Sequence, residues 1–220
     1  MKSFDARLFD SLLESETDPA TAFLCPEIRL RLAPDLPTLW RAQERCLGRV
    51  GLAPPYWGIA WPGGQALARF ILDNPAIVRG RRVLDLGSGS GICAIAAAMA
   101  GAVVCAADTD RGACSAIAAN AASNAVDVSV TPEDPLDGAS RWEVILAADL
   151  WYERFMARRV TSWLRNAGEE QTRVLLGDPG RAYFPREGPV EVGRYLIRDA
   201  GAAERDAETV AYAWRWVNRG

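Results

Sequence analysis

Histidine is absent from the 220 residues. Without imidazole the chain has no Ser-His-Asp or Cys-His mechanism, no histidine general base and no His-ligated metal. Cysteine is sparse and unpatterned: positions 25, 46, 93, 105 and 114 make an odd set with no CxxC. Neither a disulfide framework nor a zinc site is indicated, and no metal is expected. Cys93, Cys105 and Cys114 sit among alanines and read as small core residues. No apolar run approaches the roughly 20 residues of a membrane span, so no membrane partner is expected. The opening MKSFDARLFDSLLESETD is acidic and carries neither a signal-peptide core nor a transit-peptide bias; the cytoplasm is the expected compartment. A net charge of −3 gives no global drive toward nucleic acid, and none is expected as a partner. What remains is 50% hydrophobic and 24% charged, the balance of an ordinary globular domain with some extra structure.

Residues 4–16 place Phe4, Leu8, Phe9, Leu12 and Leu13 at helical spacing, which predicts an amphipathic helix. A strand is expected after Pro26, within residues 21–33, and a short helix over 39–50. Residues 1–53 therefore read as an extension ahead of a main domain at 54–220. The segment PPYWGIAWPGG (54–64) is stiff and aromatic and leads into a helix from about Gln65 to Leu72, ended by Asn74-Pro75. Strands at 82–86, 102–107, 126–130, 143–148 and 172–177 then alternate with helices at 91–100, 111–122 and 153–166. That order implies a mostly parallel sheet covered by helices on both faces. Residues 190–198 and 209–217 suit an antiparallel strand pair, with Val210, Tyr212, Trp214 and Trp216 in strict alternation. Trp214 and Trp216 are expected in the core.

The stretch RVLDLGSGSG (82–91) reads as strand, glycine turn and helix start, an arrangement that exposes backbone N–H groups to part of a nucleotide. A dinucleotide fingerprint would put its third glycine five positions after the first, but that position here is Ile92. Asp85, two residues before Gly87, would be unwelcome beside a pyrophosphate and tolerable beside a sulfonium cation. The pair of Asp85 and G-x-G-x-G (Gly87, Gly89, Gly91, with Ser88 between) therefore fits S-adenosylmethionine better than NAD. Asp108 ends the next strand, with Thr109 beside it, where a carboxylate can accept both ribose hydroxyls. Asp110 suits a helix cap instead. Glu133 and Asp134 precede Pro135 near the third strand's end, and either an adenine contact or a plain turn explains them.

The fourth strand ends in Asp149-Leu150-Trp151-Tyr152. Enzymes that methylate planar nitrogens carry Asn/Asp-Pro-Pro-Tyr here, and this chain has no such Pro-Pro. A flexible amine calls instead for a carboxylate to draw in the ammonium and an aromatic wall around it. The tetrad resembles the D-x-x-Y motif of the seven-β-strand protein lysine methyltransferases. The segments CPEIRLRL (25–32), PPYWGIAWPGGQALARFILDNP (54–75) and LLGDPGRAYF (175–184) are similar to those acting on the electron transfer flavoprotein beta subunit. The resemblance runs from about Cys25 to Phe184, and the last thirty or so residues match poorly.

The resemblance implies a Rossmann-like, seven-stranded α/β fold. By matching positions it implies that Asp85, Gly87, Ser88, Gly89, Gly91, Asp108, Thr109, Asp134 and Asp149 hold S-adenosyl-L-methionine, with Trp57 and Trp61 lining the channel. Asp149 and Tyr152 become the catalytic acid and aromatic. Trp61, Trp151, Tyr152, Asp178 and Arg181 become the substrate contacts, the last two in the GDPGR block at the mouth. Plainer readings stand beside these: Trp57 and Trp61 as packing, Asp178 as a turn former, and Arg181 as the partner of a neighbouring carboxylate. The expected reaction moves methyl groups to lysine ε-amines of a protein, most directly the electron transfer flavoprotein beta subunit, and leaves S-adenosyl-L-homocysteine. Another protein, such as a ribosomal one, or a small amine is the alternative acceptor. An NAD-dependent oxidoreductase and a catalytically silent binding module are the readings from other classes.

Overall fold

A computed structural model describes residues 6–139, 141–169, 172–197 and 209–217. Phe4 and Arg198, which belong to the predicted first helix and a predicted late strand, lie outside the described residues. The chain opens with α1 (Ala6–Glu16), β1 (Asp18–Ala22), β2 (Cys25–Leu32) and α2 (Leu36–Leu47). β1 pairs antiparallel with β2. Its DPATA sequence has no strand signature of its own, and only the pairing with β2 makes it one. Phe9, Leu12 and Leu13 of α1 pack with Leu39 of α2 and with Trp57. Asp35 caps α2 through the N–H of Thr38, and Gly48 closes it in the left-handed conformation that a Cβ would strain.

α3 (Pro62–Asp73) begins three residues earlier than its apolar spacing predicts. Proline at the first helical position is tolerated because its missing N–H would be unpaired anyway. The alternating half follows as β3 (Arg82–Leu86), α4 (Ile92–Met99), β4 (Val103–Ala107), α5 (Arg111–Ser123) and β5 (Val128–Thr131). Then come β6 (Val144–Ala148), α6 (Arg154–Glu169), β7 (Arg173–Asp178), β8 (Pro189–Ile197) and β9 (Thr209–Trp216). The seven-stranded sheet runs β5-β4-β3-β6-β7-β9-β8. The first five of these strands are parallel, and β9 lies antiparallel to both β7 and β8.

Strand alternation divides the core in two. Val83, Val104, Val144, Leu146 and Leu175 face α3, α4, α5 and β2. Leu84, Leu86, Ile145, Ala147, Val174 and Leu176 face α6 together with Trp216. Trp216 is buried as expected, and Trp214 is half-buried against Phe184. Cys93 is a core residue, while Cys105 and Cys114 are only half-buried. After β3 the chain builds outward through β4 and β5, then returns to lay β6 on the other side of β3. Ligands in open α/β sheets sit outside the carboxyl ends of strands at such a reversal. Among the described residues no helix is long and apolar enough to cross a membrane.

Candidate active site

At that reversal lies a cleft of about 450 Å³, lined on one side by Gly87, Gly89, Asp108 and Thr109 and on the other by Asp149, Tyr152, Trp61 and Arg181. Gly87, Gly89 and Gly91 all have positive φ, which explains glycine at alternate positions. A Cβ on Gly89 would meet nothing within 4 Å, whereas one on Gly87 would lie 2.6 Å from Leu150. The loop thus turns one open backbone position toward the cleft and packs its first glycine on the residue after Asp149. Asp108 holds the loop's shape: its carboxylate accepts from the N–H of Gly89 at 2.9 Å and from the N–H of Asp110 at 2.9 Å. Burial pushes its pKa above the ordinary carboxylate value, and those two N–H groups oppose the shift. A carboxylate has about four accepting directions, so two stay free for diol hydroxyls. Asp110 caps α5 through the N–H of Gly112 at 2.8 Å.

The other half is built around Asp149, which ends β6 at φ +56°. A non-glycine residue there is strained by about 1–2 kcal/mol, and three elements converge to hold it. Its Oδ2 accepts from the N–H of Gly64 in the first turn of α3 at 2.8 Å, and its backbone N–H donates to Gly177 of β7 at 2.9 Å. Its Oδ1 accepts from the Arg181 guanidinium at 2.8 Å. Burial pushes the carboxyl upward, and Arg181 with the first-turn N–H groups of α3 pulls it back. Arg181 also lies over the Trp61 ring, 5.6 Å from its centroid. Tyr152 is half-exposed and packs on Tyr56 at 5.4 Å, and Tyr56 in turn meets the Trp61 ring edge-on at 5.8 Å. A buried carboxylate with aromatic neighbours is therefore present, and its charge partner is the Arg181 guanidinium.

Five expected ligand contacts lie elsewhere. Asp85 is 2% exposed, and its carboxylate takes the Ser88 hydroxyl and the N–H of Ala94. Strand alternation turns residue 85 toward α4, so this acid braces the loop from beneath, and burial raises its pKa to about 7. Ser88 is spent on Asp85, and Gly91 packs against Ile117 of α5. Trp151 is fully buried, donates its indole N–H to Thr161 at 3.0 Å and packs on Phe184. Asp178 is also fully buried and accepts from the N–H groups of Gly180 and Arg181, which makes it the former of the turn that carries Arg181. Asp134 does line the cleft, but its two oxygens take the N–H of Leu136 and the guanidinium of Arg159. Trp57 lines the cleft too, with an indole N–H that has no partner among the described residues.

Tyr56 and the Gly63-Gly64 pair were not foreseen. The aromatic spacing Tyr56, Trp57, Trp61 and the Pro-Gly-Gly start of α3 were the available signals. A Cβ on Gly63 would stand 2.3 Å from the carbonyl oxygen of Gly177, so the two backbones touch and no side chain fits between them. Among the described residues no cluster of three or more potential metal ligands occurs.

The family model for ribosomal protein L11 methyltransferase (PrmA) matches residues 66–150. The chain is 41% identical to the electron transfer flavoprotein beta subunit lysine methyltransferase of Xenopus laevis, over 91% of this chain and 82% of the relative. It is 40% identical to the Homo sapiens enzyme of the same name, over 93% and 80%. It is 33% identical to the Caenorhabditis elegans homolog, over 80% and 75%. Among solved structures, a SAM-dependent methyltransferase from Agrobacterium tumefaciens superposes with a TM-score of 0.57 at 16% identity, over 93% of this chain and 71% of the other. A magnesium protoporphyrin IX methyltransferase from Synechocystis gives 0.51 at 14%, over 70% and 81%. At those identities the likeness speaks for the fold.

Proposed function

The chain belongs to the electron transfer flavoprotein beta subunit lysine methyltransferase family, and from that premise we propose that it methylates lysine ε-amines of that subunit with S-adenosyl-L-methionine. The observation that carries the reading is the seat at Asp149: a buried carboxylate beside Trp61, Tyr56 and Tyr152, facing the glycine loop and Asp108 across one cleft. The cofactor suits the other side. Asp108 keeps accepting directions for the ribose diol, Gly89 leaves space a Cβ would fill, and among the described residues no basic side chain lines the cleft at the loop to demand a phosphate. Bound there, S-adenosylmethionine supplies an electrophilic methyl group on sulfur, no metal is used, and S-adenosyl-L-homocysteine is the product.

Asp149 attracts and aligns the substrate ammonium. A free lysine amine has a pKa near 10.4, and an unopposed carboxylate would raise it further. Arg181 shares Asp149 Oδ1 and limits that effect, while loss of water in the cleft and a positive sulfur nearby would disfavour the charged form. The proton leaves to water at the open mouth, so no histidine is needed. Tyr152 and Trp61 orient the alkyl chain, and positioning supplies most of the rate. The match of residues 66–150 to the ribosomal protein L11 family keeps a second acceptor protein in view.

The test is incubation with labelled S-adenosylmethionine and a cell lysate, followed by mass spectrometry of labelled sites. Lysines of the flavoprotein subunit are expected to carry the label. Label confined to a ribosomal protein would favour the second acceptor, and label confined to nucleic acid would end the protein reading.

A further inference from the structure

The cleft leaves the outer face of α6 unused. Arg154, Arg158 and Arg165 follow one another by four and seven residues, so they share a helical face. With Thr161, Ser162 and Tyr183 they line a second groove of about 400 Å³. All three arginines are exposed, and none has an ion-pair partner among the described residues. Their neighbours are committed elsewhere: Arg159 pairs with Asp134 and Asp137, and Glu153 caps the N–H groups of Phe155 and Met156. Like charges at helical spacing repel, so among the described residues this row has no charge of opposite sign to relieve it.

The groove begins where the cleft ends. Arg154 lies two residues beyond Tyr152, and Tyr183 two residues beyond Arg181; the first of each pair lines the groove and the second the cleft. Beside it Phe155 is 76% exposed. Exposed aromatics with arginines are the composition enriched at protein interfaces.

We propose that this arginine groove docks an acidic segment of the protein substrate, next to the lysine that enters the cleft. The inference rests on the protein-lysine reading above. Arg154 to Arg165 spans about 16 Å along the helix at 1.5 Å per residue, the length of about five extended residues. Guanidinium groups meet carboxylates in paired hydrogen bonds, so carboxylates about two and then about three extended residues apart would engage the row in turn. A lysine flanked by such acids would be drawn to Asp149 and to the arginines at once. Three cations on a chain of net charge −3 are too few for a nucleic-acid backbone, whose binders make about 6–10 phosphate contacts.

The test uses the full chain, the flavoprotein beta subunit and poly-L-glutamate as the acidic probe. Wild-type protein should bind poly-L-glutamate, and the polymer should inhibit methylation competitively against the protein substrate. Arg158→Glu combined with Arg165→Glu should abolish that binding and raise KM for the protein at least tenfold. In that variant kcat should stay within about threefold, and cofactor affinity, which reports folding, should be unchanged. Raising salt should increase the wild-type KM and leave that of the variant nearly flat. An unchanged KM, or poly-L-glutamate binding that survives the reversal, overturns the groove and leaves the methyltransferase reading standing. So does preferential binding of single-stranded RNA that the reversal removes without altering KM. A wild-type chain that does not methylate the flavoprotein subunit overturns that reading instead, and the poly-L-glutamate arm still reports whether the groove takes an acidic ligand.

Discussion

The two halves of the cleft each place an acid just beyond a parallel strand, Asp108 after β4 and Asp149 after β6, and the acids are supported differently. In the loop half, Asp108 is held by backbone N–H groups of its own neighbourhood, from Gly89 and Asp110. In the other half, Asp149 depends on α3 from 85 residues earlier and on Arg181 from 32 residues later. The loop half is built mainly from β3, α4 and β4, with Ile117 of α5 behind Gly91 and Leu150 behind Gly87. The Asp149 half is assembled by tertiary structure and should fail when any of three elements shifts.

Gly177→Ala should break this asymmetry most severely. Its Cβ would fall 2.0 Å from the carbonyl oxygen of Gly63, forcing α3 away from β7 and Asp149 from its cap. Over-packing of this kind costs about 3 kcal/mol. Chemical denaturation should show that loss, and activity measured on the remaining folded protein should fall more than cofactor affinity.

Asp108→Ala tests the loop half. Losing charge-assisted hydrogen bonds to the ribose costs about 1.5–3 kcal/mol, or roughly 10- to 150-fold in cofactor Kd. Calorimetry should find that weakening, and denaturation should show a loss of about 1–3 kcal/mol as the N–H groups of Gly89 and Asp110 lose their acceptor; an unchanged Kd would remove Asp108 from the cofactor's contacts.

Asp85→Asn should have the smallest effect, visible as a pH slope. The folded pKa of about 7 stands above the ordinary carboxylate value, so the folded state binds more protons than the unfolded one between about pH 4 and pH 7. Asp85 contributes most stability below that window and loses it as pH rises through 7. The asparagine variant should flatten this decline in thermal melts from pH 5 to 8, and an identical slope in both proteins would contradict the burial argument.

Strand and helix alternation was legible because small apolar runs, glycine turns and Asn-Pro breaks each carry a local signal. The place of Asp108 at the cleft and the Asp110 cap were legible for the same reason, being defined by position relative to β4 and α5. Asp85 was placed on the ligand, yet the period-2 alternation that sets Val83 toward α4 also sets Asp85 there, out of the cleft. Trp151 and Asp178 were misplaced because nothing in a tetrad or a GDPGR block says which side chains turn inward. β1 escaped notice since DPATA becomes a strand only by pairing with β2. The Arg181–Asp149 contact stood among the plain alternatives. What the sequence could not disclose is that Arg181 fills the seat proposed for the substrate cation.

Asp149→Ala, assayed at saturating cofactor against purified flavoprotein beta subunit, tests the separation of the halves most directly. Misplacing one reactant costs about 100-fold or more, so methylated lysine measured by mass spectrometry should drop by at least that factor. Cofactor Kd from calorimetry should stay within about threefold of wild type. Full lysine methylation by the variant would contradict the assignment, and loss of cofactor binding in parallel with activity would show that the two halves are one.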